Sequence, residues 1–206
     1  MTTTVRSEQL ESIKSKLEQA AKKDTALKVF GSDEHQYKIH EPAAQDDVRD
    51  FEEEFGVSLP EEYVAFITTI GNGGPGNYGG AGPYYGIYEL GEFGYMEIDS
   101  YTMSLDPVIR SSITQNIWDD LIAFTGSGEL IDGSEAYDKK YNELFAGLMT
   151  VGTMGCNGQM MLVLNGRDRG RVVYINQDLY LPKFSPEKGF LDWYENWLDK
   201  LIAGDQ

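Results

Sequence analysis

The acidic residues are the strongest candidates in this sequence for catalysis or for binding a charged partner. Glu89, Glu92, Glu97 and Asp99 flank two predicted short strands, directly after a stretch rich in glycine and tyrosine. Two carboxylates placed on either side of a glycosidic bond can hydrolyse it as acid and base. Spacing in the sequence does not establish such a pair, because the separation that matters is the distance in the folded protein. The same residues can instead form a negative surface that attracts a basic partner.

Aromatic side chains lie near these acids and favour the second interpretation. Tyrosine and tryptophan are enriched at protein interfaces, and a third acidic spot directly follows a tryptophan. We predict a partner-binding surface formed by Tyr78, Tyr84, Tyr85, Glu89, Glu92, Glu97, Asp99, Trp118, Asp119 and Asp120. The run Glu52-Glu53-Glu54 is expected to be a solvated helix face, because Val48, Phe51 and Phe55 form the apolar stripe of the same helix.

A glycine pattern at residues 71–76 matches the G-x-G-x-x-G of dinucleotide-binding proteins. That pattern binds phosphate between a strand and a following helix. Here a predicted helix precedes it, and Pro75 with further glycines follows. We therefore predict a loop in which several residues adopt positive φ, and no bound cofactor.

Other residues capable of catalysis or metal binding lie outside any known spacing. His35 and His40 are five residues apart in a predicted strand or turn, so we expect them on opposite faces. Neither belongs to a zinc-ligand pattern. Cys156 lies between Gly155 and Asn157 as in a turn, and no G-x-S-x-G nucleophile elbow occurs. We predict no catalytic residue, no metal site and no enzymatic activity.

The net charge of the chain is −17, and its distribution is uneven. Residues 31–150 carry 23 Asp or Glu and five Lys or Arg, whereas residues 1–30 carry four acidic and six basic residues. Nucleic-acid binding requires Lys and Arg to displace counterions, so we predict no nucleic-acid partner. The charge is suited to a basic protein partner, although acidity also serves to keep a protein soluble.

The compartment is indicated by three absences in the sequence. One cysteine allows no intrachain disulfide, no apolar run approaches the length of a membrane-spanning helix, and the first residues lack the apolar core of a signal peptide. We expect a cytoplasmic protein with no membrane partner.

The periodicity of apolar residues predicts an α+β fold with a mainly antiparallel sheet. Helices are predicted at residues 5–23, 44–55, 60–70 and 135–145, from Asp106-Pro107 through Phe124, and from Ser185-Pro186 towards the C-terminus. Strands are predicted at residues 26–30, 37–40, 87–90, 95–98, 148–153, 159–165 and 171–175. Asn165-Gly166 and Arg169-Gly170 mark a hairpin between the last two strands.

The order of several motifs carries a family resemblance. The motifs are Leu59-Pro60-Glu61-Glu62-Tyr63, Phe66-Ile67, Asn72-Gly73-Gly74, residues 148–152, 158–164 and 170–174, and an aromatic-rich helix from Phe190. This order resembles the SUKH superfamily (Smi/Knr type), which includes many bacterial immunity proteins and a fungal cell-wall regulator. The resemblance covers residues 41–203, and the glycine-tyrosine loop (71–86) and residues 100–146 depart from it as insertions.

The resemblance implies a single SUKH-like domain at residues 41–206, preceded by a helix and short strands at residues 1–40. It implies an immunity protein that binds and neutralises a cognate toxin, and the acidic surface suits a basic toxin of the nuclease type. One alternative is a non-catalytic regulatory or scaffold protein resembling the fungal regulator. Another is an enzyme in which Glu89 and Asp99 act in a cleft beside the glycine loop.

Overall fold

The structure is a computed structural model, and it describes residues 3–75, 78–94, 100–128 and 130–205. Over these ranges the chain forms nine helices and four strands. The helices are α1 (Thr3–Lys23), α2 (Ser32–His35), α3 (Gln45–Phe55), α4 (Glu61–Thr69), α5 (Ser100–Ser104), α6 (Gln115–Ile122), α7 (Phe124–Ser127), α8 (Glu135–Glu143) and α9 (Phe190–Ala203). The strands are β1 (Leu148–Gly155), β2 (Gly158–Val163), β3 (Val172–Asn176) and β4 (Lys183–Phe184). The α+β prediction is confirmed.

The four strands form one antiparallel sheet in the order β1-β2-β3-β4. Met160–Val163 form a continuous apolar run in β2, and the whole strand is buried, as expected of a strand covered on both faces. The pairing of β1 with β2 contains a bulge between Thr150 and Gly152. Because a bulge inserts an extra residue, Thr150 and Thr153 lie on the same face of the sheet as Gln159.

The outer edge of β1 is covered by residues 85–88, at the end of the glycine-tyrosine loop (71–86), which we also call the glycine-rich loop. Tyr88 donates its backbone N–H to Val151 at 2.9 Å, and Tyr85 donates to Thr153 at 3.3 Å. Gly152 permits this approach, since a Cβ there would lie 2.2 Å from the carbonyl oxygen of Gly86. The strand predicted at residues 87–90 is reduced to bridges at Ile87. The strand predicted at residues 95–98 lies outside the described residues.

The last helix, α9, packs against both α4 and α1. Its Phe190 ring packs edge-on against Tyr63 and Phe66 of α4, at centroid distances of 5.1 and 5.2 Å. On its other side Glu195 accepts hydrogen bonds from Ser12 at 2.6 Å and from Lys16 at 2.9 Å, both in α1. The apolar stripe predicted for this helix therefore forms a shared core with the Leu-Pro-Glu-Glu-Tyr segment. Every described helix is too short or too polar to span a bilayer.

The strands predicted at residues 26–30 and 37–40 are wrong. The backbone and side chains of residues 28–37 instead donate hydrogen bonds to one buried carboxylate. Asp24 accepts hydrogen bonds from the hydroxyls of Ser32 at 2.6 Å and Tyr37 at 2.8 Å, and from the backbone N–H groups of Lys28 and Val29. Burial acts to raise the pKa of Asp24, but these donors outweigh it and hold the pKa below its ordinary value. The short helix α2 lies where a turn between strands was expected.

Two predicted helix starts are also wrong. The helix expected from Asp106-Pro107 begins at Gln115, where the hydroxyl of Thr114 accepts the N–H of Ile117. The helix expected from Ser185-Pro186 begins at Phe190. In both places the cap residue and its proline lie in irregular chain before the helix, because the apolar stripe of the helix begins several residues later. The two-residue strand β4 was not predicted.

Candidate functional site

A groove of about 440 Å³ lies between α3 and the segment that follows the glycine-rich loop. Three of its carboxylates, Asp47, Asp50 and Glu54, come from α3 at spacings of three and four residues, which place them on one helix face. Glu89 adds a fourth carboxylate from outside the helix. All four residues are exposed. We call this feature, whose walls also include Phe51 and Phe55, the acidic groove.

The acidic side of α3 exists because the opposite side of the helix is buried. Val48 and Phe51 are 4% and 7% exposed, and the ring of Phe55 stacks on Phe51 at 4.5 Å. Phe93 then packs edge-on against Phe55 at 5.6 Å. Of the three residues predicted to form a solvated face, Glu53 and Glu54 are exposed, and Glu54 lies in the groove with Glu89. Glu52 is half-buried and accepts the backbone N–H of Leu59 at 2.6 Å.

Asn72 positions Glu89 at the groove. Its side-chain oxygen accepts the N–H of Leu90 at 3.0 Å, and its amide nitrogen lies 3.4 Å from Glu89 Oε1. The second carboxylate oxygen of Glu89 lies 3.2 Å from Nδ1 of His40. Gly73 lets the two segments approach, since a Cβ there would lie 2.1 Å from the carbonyl oxygen of Tyr88. The Asn-Gly-Gly motif is thus the support of Glu89.

Most of the negative charge of the groove is unneutralised. Among the described residues, no Lys or Arg forms an ion pair with Asp47, Asp50, Glu54 or Glu89. Asp47 also accepts the N–H of Ala44 at 3.2 Å as part of the helix cap. In the same part of the chain, no group of three or more His, Cys, Asp or Glu is placed to hold a metal ion. The groove therefore offers carboxylates to an external cation, such as a basic side chain.

The remaining predicted acids lie in three situations. Glu92 is exposed, and its N–H bonds to the carbonyl of Glu89 at 2.9 Å, which places it in the turn next to the groove. Asp119 and Asp120 are exposed on α6. Glu97 and Asp99 lie outside the described residues.

Trp118 is not at the surface. Its side chain is fully buried, and its indole N–H donates to the carbonyl of Leu179 at 2.7 Å. This contact anchors α6 beside the turn between β3 and β4, whereas Glu89 faces α3. The structure therefore separates the Trp118 spot from the acidic groove, and it takes Trp118 out of the predicted surface.

The three predicted tyrosines gather around an unpredicted phenylalanine. Tyr78 and Tyr85 lie 5.0 Å apart by ring centroid, and Phe30 lies 5.0 Å from Tyr85 and 6.3 Å from Tyr84. Phe30 is 59% exposed, and Tyr78 and Tyr84 are 37% and 39% exposed. Phe30 was read as part of a strand, and only its position directly before Gly31 indicated a loop.

The two histidines differ in environment. His35 is 1% exposed, and its Nδ1 accepts the N–H of Tyr37 at 3.0 Å. Burial lowers the pKa of His35 from 6.5 to about 4, against the opposing effects of the Gly82 backbone and Asp24. His40 is half exposed beside Glu89. Cys156 is exposed in the turn between β1 and β2.

Comparison with known proteins agrees with the resemblance of the motifs. The sequence pattern of the SMI1 / KNR4 family (SUKH-1) matches residues 42–196, most of the chain. No curated protein matches the sequence. The matched range contains the acidic groove, Asn72 with its glycines, the whole sheet and the start of α9. The chain therefore belongs to the SMI1 / KNR4 family (SUKH-1).

Proposed function

We propose that this protein is an immunity protein that binds and neutralises a basic toxin of the nuclease type through the acidic groove. Membership of the SMI1 / KNR4 family fits an immunity-type or a SMI1/KNR4-like role, and proteins of this family are generally not catalysts. The observation that carries the proposal is the convergence of α3 and Glu89 on one groove, where four carboxylates have no paired Lys or Arg among the residues that the structure describes.

The proposed mechanism is occupation of a basic surface. A nuclease holds its phosphate substrate with Lys and Arg, and the groove presents carboxylates of opposite sign. Within the described part of the chain Asp50 and Glu54 have no cationic partner and can accept one. Glu89 is already held by Asn72, so its side chain loses little freedom on binding. Phe51 and Phe55 in the walls add apolar contact. The net charge of −17 accelerates encounter with a basic partner, most strongly at low salt.

The test begins with capture of the tagged protein from its native cells at low and at high salt. The captured protein is then expressed alone and together with this chain in a heterologous host. We expect the captured protein to arrest growth by itself and to be basic, and we expect co-expression to restore growth. A captured set of several weak, non-toxic partners would contradict the immunity role and favour the regulatory role.

The groove is tested by two variants of equal charge change. Asp50→Lys with Glu89→Lys reverses two carboxylates in the groove, and Asp119→Lys with Asp120→Lys reverses two on α6. We expect the first pair to slow association roughly tenfold or more and to abolish protection, and the second pair to protect nearly as well as the native chain. Loss of protection confined to the second pair would move the site to α6.

A further inference from the structure

A second groove, of about 420 Å³, lies between α9 and the segment that carries Phe30. It shares no lining residue with the acidic groove. Five aromatic side chains from four parts of the chain line it, namely Phe30, Tyr84, Tyr174, Trp193 and Trp197. We call it the aromatic groove. Phe30 and Tyr84 are exposed, Tyr174 and Trp197 are partly buried, and Trp193 forms the buried floor. Exposed aromatic rings at the mouth of a groove indicate a binding surface.

The rings are held in place by contacts with one another and with their neighbours. Trp193 donates its indole N–H to the hydroxyl of Tyr174 at 2.8 Å, and the ring of Tyr84 lies 6.0 Å from that of Tyr174. Trp197 packs edge-on against Tyr194 at 5.2 Å and against the buried His35 at 6.1 Å. Tyr84 also adopts a φ of 54°, which is costly for a residue other than glycine. A groove built in advance loses little entropy when it binds.

A carboxylate lies among these rings. Glu187 lines the groove and accepts hydrogen bonds from Asn196 at 2.6 Å and from the hydroxyl of Ser185. Both donors are neutral, and no ion pair to Glu187 forms within the described part of the chain. Among the described residues, Lys200 is the one basic residue that lines the groove, and Asp205, also in the lining, carries the opposite charge.

The combination of rings and carboxylate selects a cation. A purely apolar occupant would bury the charge of Glu187 without a counter-ion, which costs free energy. A cation gains from the ring faces and from the carboxylate at once. Arginine fits better than lysine, because its planar guanidinium can stack on a ring while its N–H groups point in plane at a carboxylate.

We propose that the aromatic groove binds an arginine side chain of a partner peptide, with the guanidinium against the rings and paired to Glu187. This site is separate from the acidic groove and does not require the partner to be a toxin. It gives the protein a recognition element for one exposed arginine, in addition to a surface for general positive charge.

The experiment uses the three tryptophan indole N–H resonances of the full ¹⁵N-labelled protein, assigned with Trp→Phe variants. The probe is the tripeptide acetyl-Gly-Arg-Gly-amide, titrated to about 20 mM, since a single side chain is expected to bind with a Kd on the order of 1 mM. We expect saturable shifts of the Trp193 and Trp197 resonances and none of the Trp118 resonance. Absence of these shifts, or equal shifts of Trp118, would overturn the proposal.

Three comparisons separate a specific site from attraction to an acidic protein. The citrulline tripeptide has the same shape without the charge, and the lysine tripeptide has the charge without the plane. We expect both to bind at least roughly tenfold more weakly than the arginine tripeptide. Equal binding of citrulline would exclude recognition of a cation, and equal binding of lysine would exclude recognition of arginine.

Variants then locate the site. Glu187→Gln retains an acceptor for Asn196 and removes the charge, and we expect it to weaken binding roughly tenfold. Glu89→Lys changes the acidic groove alone, and we expect the titration to be unchanged. The opposite pattern would place the arginine in the acidic groove. A protein that binds the tripeptide normally but fails to protect against a toxin would contradict the proposed function and leave this inference intact.

Discussion

The carboxylate of Glu62 in α4 caps the amino end of α9, where its Oε2 accepts the backbone N–H of Leu191 at 3.2 Å. The residue in the cap position itself, Gly189, has no side chain to do this. A Cβ at Gly189 would lie 2.1 Å from the same oxygen. The Leu-Pro-Glu-Glu-Tyr motif and the last helix are therefore joined by a charged cap, in addition to the aromatic contacts of Phe190.

Removal of this cap is expected to destabilise the fold. Glu62→Ala leaves the N–H of Leu191 without its acceptor and removes a negative charge from the positive end of the helix dipole. We expect a loss of about 1 kcal/mol in the free energy of unfolding, or about 2–4 °C in Tm. Urea unfolding of Glu62→Ala and of the neighbouring Glu61→Ala makes the comparison. Glu61 is exposed, and within the described ranges its carboxylate pairs with Arg6 alone, so an equal loss in both variants would contradict the capping role.

A methyl group at Gly73 is expected to disrupt the support of Glu89. Gly73 has a φ of +57°, and a Cβ there would lie 2.1 Å from the Tyr88 carbonyl oxygen. We expect Gly73→Ala to destabilise the protein by about 3 kcal/mol or more. Gly56→Ala is the matched control, because φ is +61° there and nothing lies within 4 Å of the added carbon. That variant should lose about 1 kcal/mol, and similar losses in both would show that the close contact is unimportant.

The stability of the protein is expected to depend on pH through His35. Burial lowers the pKa of His35 from 6.5 to about 4 in the folded protein. The unfolded chain therefore binds more protons between these two values, and the free energy of unfolding falls as the pH falls from 6.5 to 4. The contribution is at most about 1.4 kcal/mol per pH unit.

The pH dependence is measured by urea unfolding across this range for the native chain and for His35→Asn. Asparagine can accept the N–H of Tyr37 in place of Nδ1 and does not titrate. We expect the variant to lose less stability on acidification than the native chain. Parallel curves, or a ring of His35 that titrates near pH 6.5 by NMR, would contradict this assignment.

Gln159 is a buried residue whose replacement is expected to stabilise the protein. It is fully buried on β2, and neither its side-chain oxygen nor its nitrogen has a hydrogen-bond partner among the described residues. Gln159→Met keeps the shape and removes two unpaired polar atoms, so we expect a gain of about 1–2 kcal/mol. The control is Thr153→Val, because the hydroxyl of Thr153, the partner of Gln159 across the sheet, donates to Gly158 at 3.0 Å. That variant should be destabilised, and a loss in Gln159→Met would show that an unseen partner exists.

Local patterns account for the parts of the fold that the sequence analysis predicted. The end of α3 at Gly56 and the start of α4 after Pro60 are set by residues within a few positions, and the structure has both. The three long strands follow from runs of residues that favour β-structure, divided by turn residues. The strand predictions near Asp24 were wrong because hydrogen bonds to a buried carboxylate determine the conformation of the β-branched and aromatic residues there. No local periodicity reveals such bonds.

The acidic groove could be predicted only in part. Glu89 was singled out, but of the three α3 carboxylates only Glu54 was considered, as part of a solvated helix face. The position of Glu89 beside α3 depends on Asn72, which binds Leu90 across 18 positions. Asp47, Asp50 and Glu54 are spaced three and four residues apart, so their common helix face could have been predicted from the sequence. Trp118 was misplaced because an aromatic residue directly before two aspartates on a helix is equally consistent with an interface anchor and with a core residue.

The segment of residues 85–88, at the end of the glycine-rich loop, also affects the tendency of this protein to aggregate. Its backbone occupies the hydrogen-bonding edge of β1 through Val151 and Thr153, and an uncovered edge is a template on which a second chain can add a strand. A proteolytic cut in the loop would therefore do more than remove tyrosine contacts, because it would expose this template and favour aggregation. A partner that contacts the tyrosines keeps the edge of β1 covered only if residues 85–88 stay paired to it. The end of the glycine-rich loop therefore protects the sheet from strand addition as well as offering a contact surface.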